Sequence, residues 1–181
     1  MQTEELDDLL LLLDEDCEEP LLEWAAVFGN AQPVEIEIGV GKGRFLIDAA
    51  QKNDQINYLG IEWAAKYLRI AQARSQKRQL QNVRFARVDA REFVEFFVPS
   101  ASVQAYHIYF PDPWPKGRHH KRRLINSSFI AAVYPLLKDR GRVFIATDYQ
   151  KYAEEIERLF RDYGRFCYLD QYFPDCDQEV H

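Results

Sequence analysis

The sequence predicts an α/β fold in which a mostly parallel sheet carries helices on both faces, forming a three-layer sandwich. Three observations support this prediction. From Val34 onward, short apolar runs typical of buried strands alternate with longer stretches of helical character. Repeated strand–helix units of this length build parallel sheets. Acidic residues also recur at the ends of the predicted strands, where sheets of this class bind their ligands.

The predicted elements follow one another in order along the chain. Apolar runs predict strands at 34–38, 57–61, 83–88, 103–110 and 142–146, with a last candidate at 165–169. Helices are expected at 43–52, 64–80, 91–97, 124–137 and 149–163. The second helix is rich in Ala, Arg and Gln, and the third begins at a capping-box pattern, Asp89 to Glu92. The fourth is interrupted at Pro135, and Asp148 is the expected N-cap of the fifth.

The charge of the chain is divided between an acidic start and a basic body. The 181 residues have a net charge of −6, but residues 1–41 contain twelve Asp or Glu and no Lys or Arg. The rest of the chain carries all 23 basic side chains and 17 of the 29 acidic ones, a net charge of +6. We therefore predict an acidic arm at 1–32, with a short amphipathic helix formed by its Leu cluster and Trp24, and one globular domain at 33–181.

Targeting signals and cysteine pairs are not evident in the sequence. The apolar run at 9–13 is too short for a signal peptide or a membrane span and has no basic segment before it. The three cysteines, Cys17, Cys167 and Cys176, form no C-x-x-C pair. This usage predicts a reducing compartment, the cytoplasm, and neither a structural zinc nor a disulfide framework.

A glycine-rich loop joins the first predicted strand to the first predicted helix. Gly39, Gly41 and Gly43 follow Glu37, but the third glycine of a dinucleotide-binding fingerprint is replaced by Arg44. An acidic residue beside the loop repels a pyrophosphate and suits a cationic ligand. S-adenosylmethionine, with a sulfonium, an ammonium and no phosphate, fits this loop better than NAD. A tight strand–helix turn without a ligand is the alternative interpretation.

Further acidic residues lie at the ends of successive strands, so that four of them are expected to converge on one edge of the sheet. Glu62 lies where a carboxylate accepts hydrogen bonds from ribose hydroxyls. Asp89 is placed to contact an adenine amino group or to cap the following helix, and Asp148 has the same ambiguity. Asp112 follows the fourth strand and completes, with Glu37, the set of four.

The segment 110–123, FPDPWPKGRHHKRR, is the most distinctive stretch of the chain. Three prolines make a stiff turn that carries Asp112 and Trp114. Five basic residues follow the turn: Lys116, Arg118, Lys121, Arg122 and Arg123. A solvated loop is the usual fate of such a run, but its position beside the Asp112 turn favours phosphate binding. His119 and His120 have no evident third metal ligand nearby, and Trp114 offers either a packing surface or a stacking surface for a base.

The chain resembles the bacterial tRNA (guanine-N7-)-methyltransferase family in five features: EIGVGKG, GIEW, the Asp89 strand end, FPDPWPKGRHHKRRL and ATDYQKYAE. The resemblance covers residues 34 to about 160. It implies a class I S-adenosylmethionine-dependent methyltransferase fold, which is Rossmann-like, and transfer of the donor's methyl group to N7 of a guanosine in the variable loop of tRNA. Members of the family usually end in a hairpin with a Thr-x-Phe-Glu motif, which this sequence lacks, so the C-terminal hairpin is expected to be incomplete.

The resemblance also implies roles for individual residues. The methyl donor would be held by Glu37, Gly39, Gly41, Glu62, Asp89 and Asp112. Asp112 would in addition be the catalytic residue. The tRNA would be contacted by Lys116, Arg118, Lys121, Arg122, Arg123 and Asp148.

The chemistry of guanine N7 determines what such a site must supply. N7 has a free lone pair, so no base is needed; the site must position the reactants and stabilise the positive charge that arrives on the imidazole ring, the role assigned to Asp112. Alternatively, Asp112 accepts hydrogen bonds from the Watson–Crick edge of guanine. Three other interpretations remain: a non-catalytic RNA-binding relative, a small-molecule methyltransferase and an NAD oxidoreductase. Arg44 and Glu37 argue against an NAD oxidoreductase, and the basic segment argues against a small-molecule methyltransferase.

Overall fold

The computed structural model, which describes residues 10–11 and 22–169, contains one sheet of six parallel strands. The strands are β1 (Leu10–Leu11), β2 (Val34–Ile38), β3 (Asn57–Ile61), β4 (Val83–Ala86), β5 (Val103–Tyr109) and β6 (Leu137–Ala146). The helices are α1 (Trp24–Phe28), α2 (Arg44–Lys52), α3 (Ala65–Lys77), α4 (Ala90–Glu92), α5 (Ser127–Val133) and α6 (Gln150–Tyr163). A π-helical turn, Phe93–Phe97, extends α4, and 3-10 turns span Gly117–Arg122 and Tyr134–Leu136.

The order of the strands places the candidate site. Across the sheet the strands lie in the order β1-β4-β3-β2-β5-β6, so the chain builds outward from β2 in one direction and then returns to add β5 on its other side. Ile36 of β2 pairs with Leu59 of β3 and with Tyr106 of β5, and all three side chains are buried. Ligands of open parallel sheets bind at the carboxyl edge where this reversal occurs, which here is the boundary of β2 and β5.

Each face of the sheet has its own apolar core. Helices α2 and α3 pack on one face, where Leu46 and Leu68 meet Phe85 of β4. The larger core, on the other face, includes Phe93, Phe129 and other side chains of α1, α5 and α6. Because helices cover both faces of the sheet, neither face of a central strand contacts solvent, and β3 is buried at all five positions. The predicted α/β sandwich is confirmed, and β2 and β3 have the predicted bounds.

Two of the predicted helices and the strand predicted at 142–146 differ from the structure in type or by more than three residues at one end. The helix expected at 91–97 is a single α-turn followed by π-helix. The helix expected at 124–137 begins only at Ser127, because the Asn126 side chain accepts the Phe129 N–H (3.0 Å) and caps it there. Its last turn is 3-10 at Pro135, and β6 starts at Leu137, earlier than expected. Residues 138–141 bulge out of the ladder before Arg142 pairs with Ala105.

The prediction of a strand at 165–169 is wrong, because residues 164–169 form no regular element. Gly164 has a left-handed backbone (φ 72°) that ends α6. Phe166 then folds back against Phe160 and Tyr134 instead of joining the sheet.

The predicted amphipathic helix of the arm has only a small described counterpart. Its α1 begins at Trp24, which packs on the larger core, whereas Leu10–Leu11 pairs with β4 as a strand. The rest of the predicted arm, Cys17, Cys176 and the expected incomplete hairpin lie outside the described residues, and the division at residue 32 stays a prediction. No helix within the described part of the chain combines the length and apolarity needed to cross a bilayer.

Candidate functional site

The structure brings the predicted acidic residues to the carboxyl ends of adjacent strands. Glu37 lies near the end of β2, and Glu62 directly follows β3. Asp89 and Asp112 each lie three residues beyond a strand, β4 and β5 respectively. Because these four strands are neighbours in a parallel sheet, the acidic residues line one edge, as the sequence predicted. Asp148 lies just beyond β6 at the same edge.

Glu37 is buried, with 5% of its surface exposed, and caps a helix from outside it. Its Oε2 accepts the N–H of Leu46 in the first turn of α2 at 3.1 Å. Burial raises the pKa of the Glu37 carboxyl to about 8, although the Leu46 hydrogen bond opposes the shift. Burial therefore favours the protonated form of this carboxyl near neutral pH.

Glu62 holds the glycine-rich loop to the end of β3. Its Oε2 accepts the N–H of Gly41 (3.0 Å), and its Oε1 accepts the N–H of Ala64 (2.8 Å). Gly39 and Gly41 have positive φ angles of 78° and 52°, where a side chain is strained. No atom lies within 4 Å of a Cβ added at Gly39, so the backbone there faces open space.

Gly43 has a different purpose from the other two glycines. A Cβ at this position would lie 2.9 Å from the Cβ of Ala71 and 2.9 Å from Cδ1 of Ile47. The glycine therefore lets the start of α2 approach α3 closely. It belongs to the packing of the two helices and not to the open face of the loop.

The structure tests the capping interpretation of Asp89 and of Asp148. Asp89 caps α4, since its Oδ1 accepts the N–H of Arg91 at 2.8 Å, and it remains exposed at the edge. The capping prediction for Asp148 is wrong. Tyr149 occupies the N-cap position of α6, and its N–H is accepted by Oγ1 of Thr147, which leaves Asp148 one residue outside the helix and exposed.

The turn that carries Asp112 is conformationally strained. Phe110 and Trp114 have φ angles of 51° and 40°, in a region that residues other than glycine seldom occupy. Such backbone persists only where the surroundings enforce it, and it is concentrated at functional sites. Here the N–H of Phe110 is bound by the carbonyl of Ala146 on β6 at 2.8 Å. The turn presents Asp112 to solvent, together with the Phe110 ring, which is 64% exposed.

Four of the five predicted RNA-contacting cations are exposed on or beside the 3-10 turn. They are Lys116, Arg118, Lys121 and Arg122. The Arg122 guanidinium lies over the Trp114 ring at 5.0 Å, and His119 meets the edge of that ring. Trp114 is therefore half-buried under its own neighbours, and its packing interpretation is the one that the structure favours.

Arg123 is a correction to the predicted set. Only 2% of it is exposed, its Nε donates to the carbonyl of Pro113 (2.7 Å), and its guanidinium pairs with Glu155 of α6. The group also lies over the Tyr152 ring at 4.7 Å. Its donors point into the protein, so Arg123 fastens the turn to α6 and is not presented to RNA.

A buried polar chain, which the sequence patterns did not predict, links β2 and β5. Nε2 of His107 lies 2.8 Å from Oε2 of Glu35, and its Nδ1 lies 3.0 Å from the hydroxyl of Tyr109. Since a carboxylate oxygen only accepts, Nε2 of His107 donates to Glu35. Phe45 and Phe144 cover the imidazole. Alternation along β2 and β5 was the available signal, since it places Glu35 and His107 at inward positions where apolar residues are expected.

Comparison with known proteins decides the family. A family model described as "Putative methyltransferase" matches residues 31–179. A tRNA (guanine-N(7)-)-methyltransferase from Aliivibrio salmonicida is 40% identical over 166 residues, which are 90% of this chain and 70% of that protein. The chain belongs to this methyltransferase family. A second relative of the same name, from Geobacter metallireducens, is 41% identical over 74% of this chain.

The methyltransferase covers its relatives to different extents. It spans 70% of the Aliivibrio protein, 64% of the Geobacter protein and 56% of a relative from Actinobacillus pleuropneumoniae. Among solved structures, a methyltransferase from Methanococcus maripaludis has a TM-score of 0.58 at 13% identity, covering 78% of this chain and 73% of its own. A 30S ribosomal A1408 methyltransferase from an uncultured bacterium has a TM-score of 0.54 at 23% identity, covering 72% and 62%. At these identities the structures support the fold alone.

Proposed function

We propose that this methyltransferase transfers the methyl group of S-adenosylmethionine to N7 of a guanosine in the variable loop of tRNA. The observation that carries the proposal is the strained Asp112 turn, which lies at the β2–β5 boundary beside the glycine-rich loop and continues into exposed cations. Membership of the family supports the same chemistry. The charge and cysteine usage of the chain fit a cytoplasmic location.

The residues at the carboxyl edge fit the methyl donor. The open face of Gly39 admits a ligand against the backbone. Each oxygen of Glu62 accepts one backbone N–H and keeps a second lone pair, so the carboxylate is oriented and can still accept ribose hydroxyls. Glu37 supplies a buried acid for the positive groups, and Asp89 an exposed acceptor for an adenine amino group. When bound, S-adenosylmethionine supplies an electrophilic methyl group on a sulfonium.

The protein's own contribution to the reaction is position and charge. A guanine N7 needs no base, and holding it in line with the methyl group contributes at most about 7–11 kcal/mol to lowering the barrier. As the carbon–nitrogen bond forms, positive charge moves onto the imidazole ring of the base. The Asp112 carboxylate stabilises that charge or accepts from the Watson–Crick edge. Its rigid turn keeps the acid in place without reorganisation during the reaction.

The exposed cations would hold the RNA that carries the base. Lys116, Arg118, Lys121 and Arg122 would contact phosphates, with Asp148 beside them at the edge. Arg123 would contribute only through the shape of the turn. A guanosine must leave its stack to reach Asp112, which favours a loop nucleotide over a paired one.

The proposal is tested by labelled methyl transfer to unmodified tRNA, followed by identification of the product nucleoside. We expect 7-methylguanosine from the wild type and a loss of about 100-fold or more in Asp112→Ala. Asp162→Ala, an exposed acid at the end of α6, is the matched control and should retain full activity. Donor binding without methyl transfer in the wild type would indicate a non-catalytic relative, and a product other than 7-methylguanosine would refute the proposal.

A further inference from the structure

A cationic pocket lies on the face of the sheet covered by α2 and α3, and no residue of the Asp112 turn lines it. Its volume is about 340 Å³, and it is lined by Gly43, Arg44, Ile47, Asp48, Arg74 and Arg78. Three arginines and one aspartate are thus among its lining residues. The pocket shares the 39–43 loop with the proposed donor site, since Gly43 lines it.

No arginine of this pocket makes an ion pair with an acidic side chain in the described part of the chain. Within residues 22–169, ion pairs join His107 to Glu35 and Arg123 to Glu155, and neither involves the pocket. Arg44, Arg74 and Arg78 are all exposed. The α3 sequence between Ala65 and Lys77 contains four basic residues and no Asp or Glu, so the pocket lies in a positive surface.

Local geometry holds one arginine in place and adds to the positive potential. Arg74 donates to the carbonyl of Lys42 at 3.0 Å, which fixes its guanidinium beside the loop while other N–H groups stay available. The α2 helix, nine residues long, begins at the pocket and has no acidic residue in its first turn. The positive end of its dipole therefore reinforces the arginines.

The chemistry of the pocket fits phosphodiesters. Its lining has guanidinium groups that match phosphate oxygens and no aromatic ring on which a base could stack. The 3-10 turn with Lys116 and Arg122 leads into α5 on the opposite face of the sheet. Two cationic surfaces thus flank one site from opposite faces, an arrangement suited to a long polyanion that passes over the site.

We propose that Arg44, Arg74 and Arg78 form a second phosphate-binding site for the RNA substrate. The inference rests on the proposed function, because it takes the substrate tRNA as the polyanion. The guanosine would reach Asp112 while a separate stretch of the same RNA backbone lies on the α2–α3 face.

The test compares tRNA binding by wild type and by Arg44→Gln/Arg78→Gln over a range of salt concentrations. We expect about tenfold weaker binding at low salt and a log–log slope flatter by roughly 1.4–1.8, because each lost phosphate contact removes about 0.7–0.9. The matched control is Arg158→Gln/Arg161→Gln, which removes two exposed arginines from α6 on the other face. It should leave the slope near that of the wild type.

Donor affinity, measured by calorimetry in the same variants, keeps the two proposals apart. Unchanged donor affinity with a flatter tRNA slope supports the site. If the wild type methylates tRNA and the double variant has the wild-type slope, the second site is refuted and the proposed function stands. An equal loss of tRNA affinity in the α6 control would refute a specific site and indicate general electrostatic attraction of the RNA. A loss of donor affinity with unchanged tRNA binding would assign the pocket to the donor. A wild type that does not bind tRNA would overturn both proposals.

Discussion

Glu37 shows how one residue couples the fold to the chemistry. Its side chain, near the end of β2, is buried and caps α2 through the Leu46 N–H. Burial favours the neutral acid, so the pKa rises to about 8. A neutral acid still accepts the Leu46 N–H, but it offers less to a sulfonium or an ammonium. We therefore expect donor binding near neutral pH to release a proton from this group.

The raised pKa of Glu37 predicts a specific dependence of stability on pH. The unfolded chain has a Glu37 pKa near 4.5 and the folded chain one of about 8, so between these values only the folded state holds the proton. The free energy of unfolding should fall as pH rises through this window, by at most about 1.4 kcal/mol per pH unit. Glu37→Gln keeps an acceptor for Leu46 and removes the titration.

Chemical denaturation of both proteins between about pH 5 and pH 8 measures this effect. The free energy of unfolding of Glu37→Gln minus that of the wild type should increase with pH, because the amide of the variant does not ionise. All other titrating groups are common to both proteins. Parallel pH profiles in the two proteins would show that Glu37 ionises in the folded state at its ordinary pKa.

At the scale of elements, the Asp112 turn depends on a brace from a distant helix. Arg123 links the carbonyl of Pro113 to Glu155 of α6, and Arg91 donates to the carbonyl of Arg123 at 2.7 Å. The strained turn therefore owes its shape to α4 and α6 as well as to its prolines. Arg122 and Arg123 are neighbours in sequence, but the first is exposed and the second is buried in this brace.

Arg122 and Arg123 are therefore expected to differ when each is replaced by Ala. Arg123→Ala should lower the free energy of unfolding by about 1.5–3 kcal/mol, because a buried charge-assisted hydrogen-bond network is lost. Arg122→Ala removes an exposed contact with Trp114 and should cost about 1 kcal/mol or less. Urea denaturation measures both. The brace is refuted if the two variants have the same stability.

For RNA binding, the replacement of Arg122 should have a larger effect than the replacement of Arg123. Arg122→Ala is expected to flatten the salt dependence of tRNA binding, by roughly one unit. Under conditions where Arg123→Ala is folded, its slope should stay near the wild-type value.

The sequence predicted those elements whose bounds depend on nearby residues. The bounds of β2 and β3 followed from apolar runs between turn residues, and the convergence of Glu37, Glu62, Asp89 and Asp112 followed from parallel topology. Arg123 could not be assigned in this way, because a run of cations contains no information about burial, and its partner Glu155 lies 32 residues away. The 138–141 bulge and the return of Phe166 onto α6 likewise depend on contacts that form only in the assembled fold.

The whole molecule combines a basic body with twelve acidic residues in its first 41. An acidic segment tethered to a cationic surface competes with RNA through exposed charges, and such competition is screened over about 8–10 Å at physiological salt. A solubilising tail with no such contact is the simpler interpretation of the arm. The two interpretations differ in what neutralising the arm does to RNA affinity.

A variant with Glu4→Gln, Glu5→Gln, Asp7→Asn and Asp8→Asn tests this competition while keeping the Leu10–Leu11 strand. If the arm competes, tRNA binding should tighten by several-fold at low salt and by little at high salt, because attraction between exposed charges is screened. Donor affinity should not change. Equal tRNA affinity for variant and wild type at every salt concentration would leave the arm a solubilising role only.

The reversal of strand order at β2 has a consequence for the growing polypeptide. Residues 34–97 leave the ribosome before β5 does, and these contain β2, β3 and β4 with three of the four edge acids. Until β5 emerges, β2 is an outer strand whose Ile36, later fully covered, has no neighbour on one side. An apolar unpaired strand invites wrong partners during synthesis. Strand β2, which is central in the folded protein, is thus an exposed edge strand in the nascent chain. A pause in translation before Val103 would prolong the time for which the nascent chain needs a chaperone.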